Sequence, residues 1–468
     1  MKLYNTLTRT IDDLQPLSED GFRMYSCGPT VYDHAHIGNL SAYVFADTLR
    51  RAVSLTGTPV THIMNYTDVD DKTIRRSREQ YADEDPHTAL HMLTDKFITI
   101  FNEDMYKIGN DIKAMTFVRA TDPVTIEGMK TLITQLHNKG MAYVTDDGVY
   151  FSIEAYKKSG KTYGQLLELT ASNTSDARID NDEYDKESVH DFALWKKQKN
   201  GEPSWPFTLD GHDLEGRPGW HIECSVMSRQ KLGQPFDIHT GGVDLIFPHH
   251  ENEIAQSTAS EDNPVMAQFF AHNEHILVDG KKMSKSAKNF YTLEDVITKG
   301  YEPLAFRLKI LQSHYRNQVN FTWESLDAAQ NLLLNLRAWA DLRHQRAAHA
   351  TGFDESYRDG LKTIMAAIAN DLDTPRAITV LAAWANEAET KGVDANKIEH
   401  LLNVIDRIFG LQLSVRPDIT HEQKDLIADR VQAREAKDWA KSDELRAALV
   451  SQGILVRDTP NGPLWARI

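Results

Sequence analysis

The chain contains a histidine and a glutamate whose types and spacing suit a metal ion. His249 and Glu253 are four positions apart, in a segment that we predict to be a helix beginning at Pro248. Side chains four positions apart share one face of a helix, so these two can bind the same ion. The neighbouring pair, His250 with Ile254, is typical of a face that points into a core. His249 is therefore the better ligand candidate of the two adjacent histidines.

The two cysteines of the chain, Cys27 and Cys224, could complete this site. Cys27 ends a predicted strand, and we expect Cys224 in the second half of the same sheet, so both thiols can reach the helix if the halves pack as one doubly wound sheet. Two thiolates, an imidazole and a carboxylate suit zinc. A disulfide is not expected in a reducing compartment. Spacing alone leaves an alternative open, in which the cysteines are inert core residues and the histidine and glutamate form a surface pair.

A second set of residues could bind phosphate. His36 and Asn39 lie one turn apart at the start of a predicted helix, where both can donate hydrogen bonds to phosphate oxygens. Lys282 and Lys285 lie on a loop that begins at Gly280 and can bring two positive charges to a departing pyrophosphate. Donors and cations placed around the developing charge provide most of the catalysis at phosphorus. A loop rich in Lys and Ser is more often only a solvated turn. The lysine pair therefore indicates a phosphate site only in combination with His36 and Asn39, and neither pair is strong evidence by itself.

A βαβ unit is predicted to position the first half of these groups. Apolar residues 22–25 predict a strand, residues 40–55 repeat apolar side chains at helical spacing, and residues 60–66 predict a second strand. The Gly/Pro-rich turn between strand and helix carries Cys27 and His36. Such a turn lies at the carboxyl edge of a parallel sheet, where nucleotides bind because the helix dipole and its N–H groups attract phosphate.

Further along the chain, the pattern alternates between helices and strands and then becomes helical. Helices are predicted at residues 97–115 and 123–139, strands at 148–153, 235–240 and 275–278, and a mobile insertion of low hydrophobicity at 170–191. From about Trp323 onward two apolar helical stripes, a helix capped by residues 373–375 and two further helices precede a hairpin of residues 454–457 and 464–468.

Composition is typical of a globular protein and makes a membrane-spanning protein or a generally basic nucleic-acid binder improbable. The 468 residues carry 52 Lys and Arg against 68 Asp and Glu, a net charge of −16, so any RNA contact must use local basic surfaces. No apolar run approaches the roughly 18–20 residues needed to cross a bilayer. The first residues lack the apolar segment of a signal peptide. We therefore expect a cytoplasmic protein without a membrane partner, and a monomer.

Together these stretches resemble a class I aminoacyl-tRNA synthetase, and more closely the cysteinyl-tRNA synthetase family. His36-Ile37-Gly38-Asn39 is similar to the His-Ile-Gly-His motif of the class, and Lys282-Met283-Ser284-Lys285-Ser286 matches its lysine loop. The longer motifs narrow the family: Cys27-Gly28-Pro29-Thr30-Val31-Tyr32-Asp33, Gly219-Trp220-His221-Ile222-Glu223-Cys224, Phe247-Pro248-His249-His250-Glu251-Asn252-Glu253 and Lys437-Asp438-Trp439-Ala440. The resemblance covers residues 2–468.

This resemblance implies roles for individual residues. It implies that zinc is held by the quartet already reached from spacing, namely Cys27, Cys224, His249 and Glu253. It implies that ATP is contacted by His36, Asn39, Gly242, Asp244 and Lys285, and that the cysteine pocket is lined by Thr67 and Trp220. Three departures from the family pattern occur: Asn39 replaces the second histidine, Thr240 replaces a glycine, and Ala287-Lys288 replaces Leu-Gly. We expect Thr240 to stiffen the backbone at its position, and Ala287-Lys288 to change the mobility of the lysine loop.

The implied fold is α/β: a Rossmann-like doubly wound parallel sheet in the catalytic domain, an inserted connective domain, then an α-helical bundle and a small C-terminal domain. We expect the first half of the catalytic domain at residues 1–120, the connective insertion at 121–215 and the second half at 216–275. A stem-contact segment with the lysine loop is expected at 276–322, the bundle at 323–410 and the anticodon-binding region at 411–468.

The implied activity is the ATP-dependent charging of tRNA(Cys). The carboxylate of L-cysteine attacks the α-phosphorus of ATP, with Mg²⁺ expected beside the nucleotide, and the cysteinyl group then passes to a terminal ribose hydroxyl, the 2′-OH by class I analogy. One zinc per chain would select the thiol, since shape alone separates near-isosteres by only about 10–200-fold. We see no large insertion to house an editing domain.

The helical end is expected to contact the tRNA. Residues 421–468 contain eight Lys and Arg against eight Asp and Glu, so this part is less acidic than the whole chain. Spacing predicts one shared helix face for Arg430, Arg434, Lys437 and Lys441, and the rings of Trp439 and Trp465 could stack on bases. Solvated basic residues and core tryptophans are the plainer alternative for each of them.

Two other functions fit parts of the sequence. A ligase of the same ancestry could pass activated cysteine to a small amine, although the anticodon-type helical end disfavours it. A zinc-stabilised RNA-binding protein without catalysis is the other alternative, and it would leave His36 and Lys285 without a role.

Overall fold

The computed structural model describes residues 1–167, 191–261, 264–283, 289–345, 354–391, 395–460 and 462–467. The chain forms two compact units, one of Met1–Val296 with Tyr315–Asn320 and one of Ile297–His314 with Phe321–Ile468. The finer, six-part division of the sequence analysis stays a prediction. No helix in the described part of the chain has the length and apolar character needed to cross a bilayer.

The strands of the chain have the following bounds: β1 Lys2–Asn5, β2 Thr10–Asp13, β3 Phe22–Ser26, β4 Val60–Tyr66, β5 Thr116–Arg119, β6 Ala142–Thr145, β7 Gly148–Phe151, β8 Phe192–Lys197, β9 Thr208–Leu209, β10 His212–Asp213, β11 Gly216–Pro218, β12 Phe236–Gly242, β13 Ala267–Asn273, β14 Ile276–Val278, β15 Lys281–Lys282, β16 Val319–Phe321, β17 Ile454–Thr459 and β18 Gly462–Arg467.

The helices have these bounds: α1 Ile37–Ser54, α2 Asp71–Gln80, α3 Pro86–Lys107, α4 Pro123–Asn138, α5 Ile153–Lys158, α6 Trp220–Leu232, α7 Glu251–Ser260, α8 Leu293–Thr298, α9 Pro303–Leu311, α10 Trp323–Asp341, α11 Asp354–Ile368, α12 Thr374–Lys391, α13 Ala395–Phe409, α14 His421–Glu435 and α15 Trp439–Ser451.

A five-stranded parallel sheet organises the first unit. Its strand order is β13-β12-β3-β4-β5, and each neighbouring pair is parallel. The order runs outward from β3 in both directions, as in a doubly wound sheet, so the carboxyl ends of β3 and β12 lie side by side. Strands from the two halves of the sequence therefore share one sheet, which confirms the predicted α/β class and brings distant motifs to one edge.

Helix α1 begins three residues earlier than the sequence predicted. The ring of His36 accepts a hydrogen bond from the Asn39 N–H at 3.1 Å, and the Asn39 side chain accepts from the His36 N–H at 3.3 Å. This reciprocal capping box satisfies two backbone N–H donors of the first turn, so the helix begins here and not at the later residue that the apolar pattern indicates. The predicted strands on either side, 22–25 and 60–66, match β3 and β4 within one residue.

Helix α3 was placed wrongly by the apolar pattern alone. The sequence predicts a helix at 97–115, whereas α3 runs from Pro86 to Lys107. Asp85 caps its start by accepting hydrogen bonds from His87 and Thr88, and Pro86 occupies the first helical position. The helix ends where Gly109 takes a positive φ of 77°.

The connective region contains an antiparallel sheet of order β11-β8-β7-β6, covered by α4 and α5. Its core includes the fully buried Trp195 and Phe151. The strand predicted at 148–153 ends at Phe151, because Ser152 caps α5. The predicted insertion at 170–191 lies outside the described residues except for Asp191, which accepts hydrogen bonds from the Tyr143 hydroxyl and the Ile153 N–H, both at 2.9 Å.

The second unit is mainly helical, as predicted. The stripe of α10, which consists of Leu326, Ala329, Leu333, Leu336 and Ala340, is completely buried. Asp373 accepts a hydrogen bond from the Arg376 N–H at 3.2 Å and so caps α12, and β17 pairs with β18 as the predicted hairpin.

Candidate metal centre and nucleotide edge

The four predicted metal ligands meet beneath the carboxyl edge of the parallel sheet. Cys27 directly follows β3, Cys224 lies in the first turns of α6, and His249 and Glu253 are four residues apart where the chain enters α7. One ligand atom from each residue lies within 4.8 Å of all the others, and the four residues are at most 9% exposed. Cys224 is on a helix packed against the sheet, so its predicted place within the sheet was wrong. A helix at that position still brings the thiol to the same point.

The donor set and its dimensions fit a tetrahedral ion. The two sulfur atoms are 3.9 Å apart, and Cys27 Sγ is 3.7 Å from Glu253 Oε1. Zinc–sulfur bonds of about 2.3 Å require a sulfur–sulfur edge of about 3.8 Å in a tetrahedron. His249 Nε2 and Glu253 Oε1 are 3.0 Å apart. Two soft sulfur donors beside one imidazole and one carboxylate are a ligand set that zinc accepts.

Charge in this cluster favours a bound cation. Burial raises the pKa of Cys224, but hydrogen bonds with Cys27 and His249 outweigh it and lower that pKa to about 6. Burial likewise raises the pKa of Glu253, yet His239 and His249 lower it to about 2. Burial, the neighbouring Cys224 and Glu253 together raise the pKa of Cys27 well above its usual range. A buried thiolate and a buried carboxylate therefore lie next to a second thiol that ionises readily only beside a cation.

A second histidine layer surrounds these ligands, and sequence reasoning missed it. His239 Nε2–H donates to Glu253 Oε2 at 2.9 Å, and His250 Nε2 lies 3.4 Å from Cys27 Sγ. His250 Nδ1 forms a hydrogen bond with His272 Nε2 at 2.8 Å, and His221 Nδ1 lies 2.9 Å from His249 Nδ1. Burial holds the pKa of His221, His250 and His272 below the usual value, so these rings are neutral.

Cys27, His239, His250 and Glu253 form an alternative group that also lies within 4.8 Å. The prediction that His250 faces the core with Ile254 is correct for its burial, but its ring also contacts the cluster. This second group has one sulfur donor where the predicted quartet has two, so the quartet is the softer donor set, and His250 is left to support Cys27. The spacing of single histidines on different strands and helices carries no signal for such contacts.

The predicted phosphate-binding residues lie at the start of α1 and at the end of β12. Since Nδ1 of His36 accepts a hydrogen bond, the hydrogen of its neutral ring is on Nε2, and Asn39 keeps its side-chain NH₂ as a donor. Gly242 ends β12, and the Cβ of any other residue there would lie 2.4 Å from Asp244 Oδ1. Thr240, the departure from the family pattern, is buried and bonds through its hydroxyl to Ser26 at 2.7 Å.

The lysine loop follows a tight turn at Asp279 and Gly280, both of which have positive φ angles of 50° and 72°. Lys282 is exposed at the end of β15, whereas Lys285 and Ala287-Lys288 lie outside the described residues. Met283 packs on Gly38, where an added Cβ would lie 2.5 Å from the Met283 methyl. The two motifs that were predicted to act on phosphate are therefore in contact.

The predicted cysteine pocket lies beside the ligand cluster. The Trp220 ring stacks on His249 with 4.2 Å between ring centroids. Thr67 follows β4 and is 2% exposed, and its backbone N–H donates to Pro29 O at 3.0 Å. Thr67 thus lies against the turn that begins with Cys27, and Trp220 lies against the ligand candidate His249.

Comparison with known proteins identifies the family. A family model described as the catalytic domain of class I (C) tRNA synthetases matches residues 13–331, and a cysteinyl-tRNA ligase anticodon binding domain matches residues 416–465. The cysteine–tRNA ligase of Chlamydia felis is 41% identical over 98% of this chain and 96% of its own length. That of Caldicellulosiruptor saccharolyticus is 40% identical over 100% of both chains.

The chain belongs to the cysteine–tRNA ligase family of class I aminoacyl-tRNA synthetases. It is an enzyme of that family, so the alternative of an RNA-binding protein without catalysis is wrong. The small-amine ligase is disfavoured by the anticodon domain match.

Solved structures agree with the class I fold. The methionyl-tRNA synthetase of Mycobacterium tuberculosis in complex with methionyl-adenylate has a TM-score of 0.57 at 13% identity, and covers 84% of this chain and 88% of its own. An Agrobacterium radiobacter LeuRS in a ternary complex with tRNA and LeuAMS has a TM-score of 0.61 at 12% identity, with coverage of 86% and 85%. At these identities the likeness concerns the fold alone.

In the anticodon domain of this cysteine–tRNA ligase family member, the residues predicted to contact tRNA do not share one helix face. Helix α14 ends at Glu435, and Lys437 takes a positive φ of 58°, so Arg430 and Lys441 belong to different helices. The prediction of one shared face was therefore wrong.

The six side chains of this region also differ in exposure. Arg430 is buried in a double hydrogen bond to Asp458, at 2.7 and 2.9 Å, and Trp465 is 6% exposed within a local core. Arg434 lies over the Trp439 ring at 5.5 Å, and Trp439 is 57% exposed. Of the six predicted side chains, Lys437, Trp439 and Lys441 are therefore exposed and Arg434 is half-buried.

Proposed function

We propose that this chain activates L-cysteine with ATP to give cysteinyl-adenylate and pyrophosphate, and then transfers the cysteinyl group to the 3′ end of tRNA(Cys). The observation that carries this proposal is the convergence of Cys27, Cys224, His249 and Glu253 beside the capped start of α1. A sulfur-binding site and a phosphate-binding site at one sheet edge suit a reaction between cysteine and a nucleotide.

The four ligand residues would hold one zinc ion per chain. When bound, zinc offers the substrate sulfur a coordination position that a serine hydroxyl fills poorly, which separates the two amino acids beyond the reach of shape. The ring of Trp220 then closes one side of the pocket through its stacking on His249. His239 and His250, bonded to Glu253 and Cys27, would keep these two ligand side chains oriented.

The residues at the start of α1 would stabilise the reaction at phosphorus. The cysteine carboxylate is itself a nucleophile, so no general base is needed. His36 Nε2–H and the Asn39 amide would donate to the oxygens of the α-phosphate as negative charge builds there. Gly242 and Asp244 would bind the nucleoside, while Lys282 and Lys285 would balance the leaving pyrophosphate, with Mg²⁺ accompanying ATP.

The transfer step would use the helical second unit to bind tRNA(Cys). Arg434, Lys437 and Lys441 supply positive charge to phosphates, and the exposed Trp439 ring offers a surface on which a base stacks. By class I analogy the 2′-OH of the terminal ribose receives the cysteinyl group. One chain supplies every residue in this scheme, so we expect a monomer, working in the cytoplasm with its tRNA.

Substitution of a single sulfur tests the role of the metal centre. Cys224→Ser should abolish stoichiometric zinc and raise the KM for cysteine in ATP–pyrophosphate exchange by more than about tenfold, because a hydroxyl does not replace a thiolate on zinc. Ser228→Ala removes a hydroxyl from the same helix and is the matched control. Exchange with cysteine and serine should be measured together with metal content. Normal selectivity for cysteine in a zinc-free variant would refute the role of the metal.

A further inference from the structure

A buried carboxyl group beside the cysteine pocket has two oxygens without a hydrogen-bond partner in the described part of the chain. Glu223 lies in the first turn of α6, between Trp220 and Cys224, and is completely buried. Neither of its carboxyl oxygens has a partner of normal hydrogen-bond geometry among the described residues. A buried carboxyl in that condition costs free energy, so the group needs a partner that arrives later.

The two neighbouring carboxyl groups are already committed. Both oxygens of Asp68 bind Thr121, one to its N–H at 2.9 Å and one to its hydroxyl at 2.6 Å. Asp70 caps α2 by accepting the Thr73 N–H at 2.7 Å. Glu223 is therefore the member of this acidic group whose oxygens are not already bound within the described residues.

Two consecutive hydrogen bonds, from Gly28 to Asn65 and from Asn65 to Thr67, fix the orientation of the Thr67 hydroxyl. The Gly28 N–H donates to Asn65 Oδ1 at 2.8 Å, and Asn65 Nδ2 donates to Thr67 Oγ1 at 3.1 Å. Because Thr67 Oγ1 accepts from Asn65, its own hydrogen points elsewhere, and the carboxyl of Glu223 is the polar group next to this hydroxyl. Gly28 is required here, since a Cβ would lie 1.8 Å from the Asn65 carbonyl oxygen.

We propose that Glu223, with the Thr67 hydroxyl, forms the receptor for the α-ammonium group of the substrate amino acid. This inference rests on the proposed function, which brings three groups of cysteine into the site. The sulfur belongs to the ligand cluster and the carboxylate to the phosphorus of ATP, which leaves the ammonium group. Trp220, three residues before Glu223 on the same helix, and Thr67 were predicted to line this pocket. An ammonium ion gives Glu223 the charged, hydrogen-bonding partner that it lacks.

Three small thiols separate the ammonium contact from the rest of the pocket. L-cysteine carries all three groups, 2-aminoethanethiol lacks the carboxylate, and 3-sulfanylpropanoate lacks the amine. Their binding to the zinc-loaded full chain is measured by calorimetry for the wild type, Glu223→Gln and the control Glu127→Gln, which alters an exposed glutamate paired with Lys130. Zinc content and the melting temperature are measured for each protein.

Glu223→Gln should weaken binding of L-cysteine and 2-aminoethanethiol by about ten- to hundredfold, the range of a charge-assisted hydrogen bond. Binding of 3-sulfanylpropanoate should stay within about twofold, since it has no ammonium group to lose a contact. Equal weakening of all three thiols, or no weakening, would overturn the proposal, because a merely structural residue does not distinguish them.

If Glu223→Gln does not fold, Thr67→Val decides the question in the same assay, with the same selective loss expected and an equal loss overturning it. A wild-type chain that binds no L-cysteine refutes the proposed function, and the receptor with it. A wild type that binds L-cysteine normally while the variants show no selective loss refutes the receptor alone.

Discussion

At the scale of single residues, the environment decides which groups are charged. The ligand cluster was predictable in part, because the spacing of His249 and Glu253 survives in any helix. The supporting histidines, His239 and His250 among them, were not predictable, because their contacts exist only after distant strands pair. The same holds for Glu223. Its carboxyl oxygens lack partners in the described part of the chain, whereas Asp68 and Asp70 form hydrogen bonds that exist only in the folded protein.

Asp104 on α3 offers a test of burial away from the catalytic groups. Its side chain is buried, and loss of solvation raises the pKa of this carboxyl to about 6, although Lys107 and His34 oppose the rise. The raised pKa favours the folded state below the ordinary pKa of an aspartate, near 4, and that advantage is lost as the pH rises through 6. Ionised Asp104 therefore weakens the fold at neutral pH.

Asp104→Asn should raise the free energy of unfolding relative to the wild type, and the gain should be roughly 1 kcal/mol larger at pH 8 than at pH 5. Urea unfolding at the two pH values measures it. Glu127→Gln changes an exposed carboxyl on α4, paired with Lys130, and serves as the control. A gain that shrinks as the pH rises would contradict the assigned cause.

At the scale of elements, the predictions that depended on an apolar period were correct, and those that depended on where a helix begins or ends were wrong. Strands 22–25 and 60–66 and the stripe of α10 were predictable because burial imposes a period on the sequence. The separation of Arg430 and Lys441 onto two helices was not predictable, because the chain turns at Lys437 without the glycine that usually marks such a turn. Helix α3 likewise begins at a cap, Asp85, well before its apolar pattern becomes regular.

The two arginines that bind Asp458 should differ in what they support. Arg430 is buried and makes both of its hydrogen bonds to this carboxylate, whereas Arg434 is half-exposed at 3.3 Å. Arg430→Met should lower the free energy of unfolding by about 1–3 kcal/mol, since it strips a buried contact from Asp458. Arg434→Met should cost less than about 1 kcal/mol, as expected for an exposed pair.

For tRNA binding we expect the opposite order: Arg434→Met should have the larger effect and Arg430→Met the smaller. Arg434→Met should weaken tRNA binding and reduce its salt dependence by about one phosphate contact, because the exposed guanidinium can reach the RNA. Arg430→Met should leave the salt dependence unchanged in conditions where the variant is folded. Urea unfolding and filter binding at several salt concentrations give both quantities. Equal destabilisation by the two substitutions would show that burial does not distinguish them.

At the scale of the whole molecule, the sequence predicted the order of the catalytic and tRNA-binding regions better than the residues at which they begin and end. The catalytic family match ends at residue 331 and the anticodon match begins at 416, in agreement with a catalytic first part and a tRNA-binding end. The division into two compact units places Ile297–His314 with the helical end, whereas Tyr315–Asn320 returns to the first unit. Such an exchange of short segments depends on tertiary packing and leaves no mark in composition.

If amino-acid activation belongs to the first unit and tRNA binding to the second, substitutions in the two units should act independently. Cys224→Ser should impair cysteine-dependent pyrophosphate exchange without changing tRNA affinity. Trp439→Ala removes an exposed ring and should weaken tRNA binding by about 1–3 kcal/mol, the range for stacking of one base, without changing exchange. In the double variant the loss of exchange should equal that of Cys224→Ser, and the loss of tRNA affinity that of Trp439→Ala, each within about 0.5 kcal/mol, as expected for sites without shared partners. Exchange rates and tRNA dissociation constants, measured for all four proteins under one set of conditions, complete the cycle. A changed exchange rate in Trp439→Ala, or a double variant whose two losses differ clearly from those of the single variants, would contradict this independence. It would mean that the RNA-binding end acts on the activation site before any tRNA is bound.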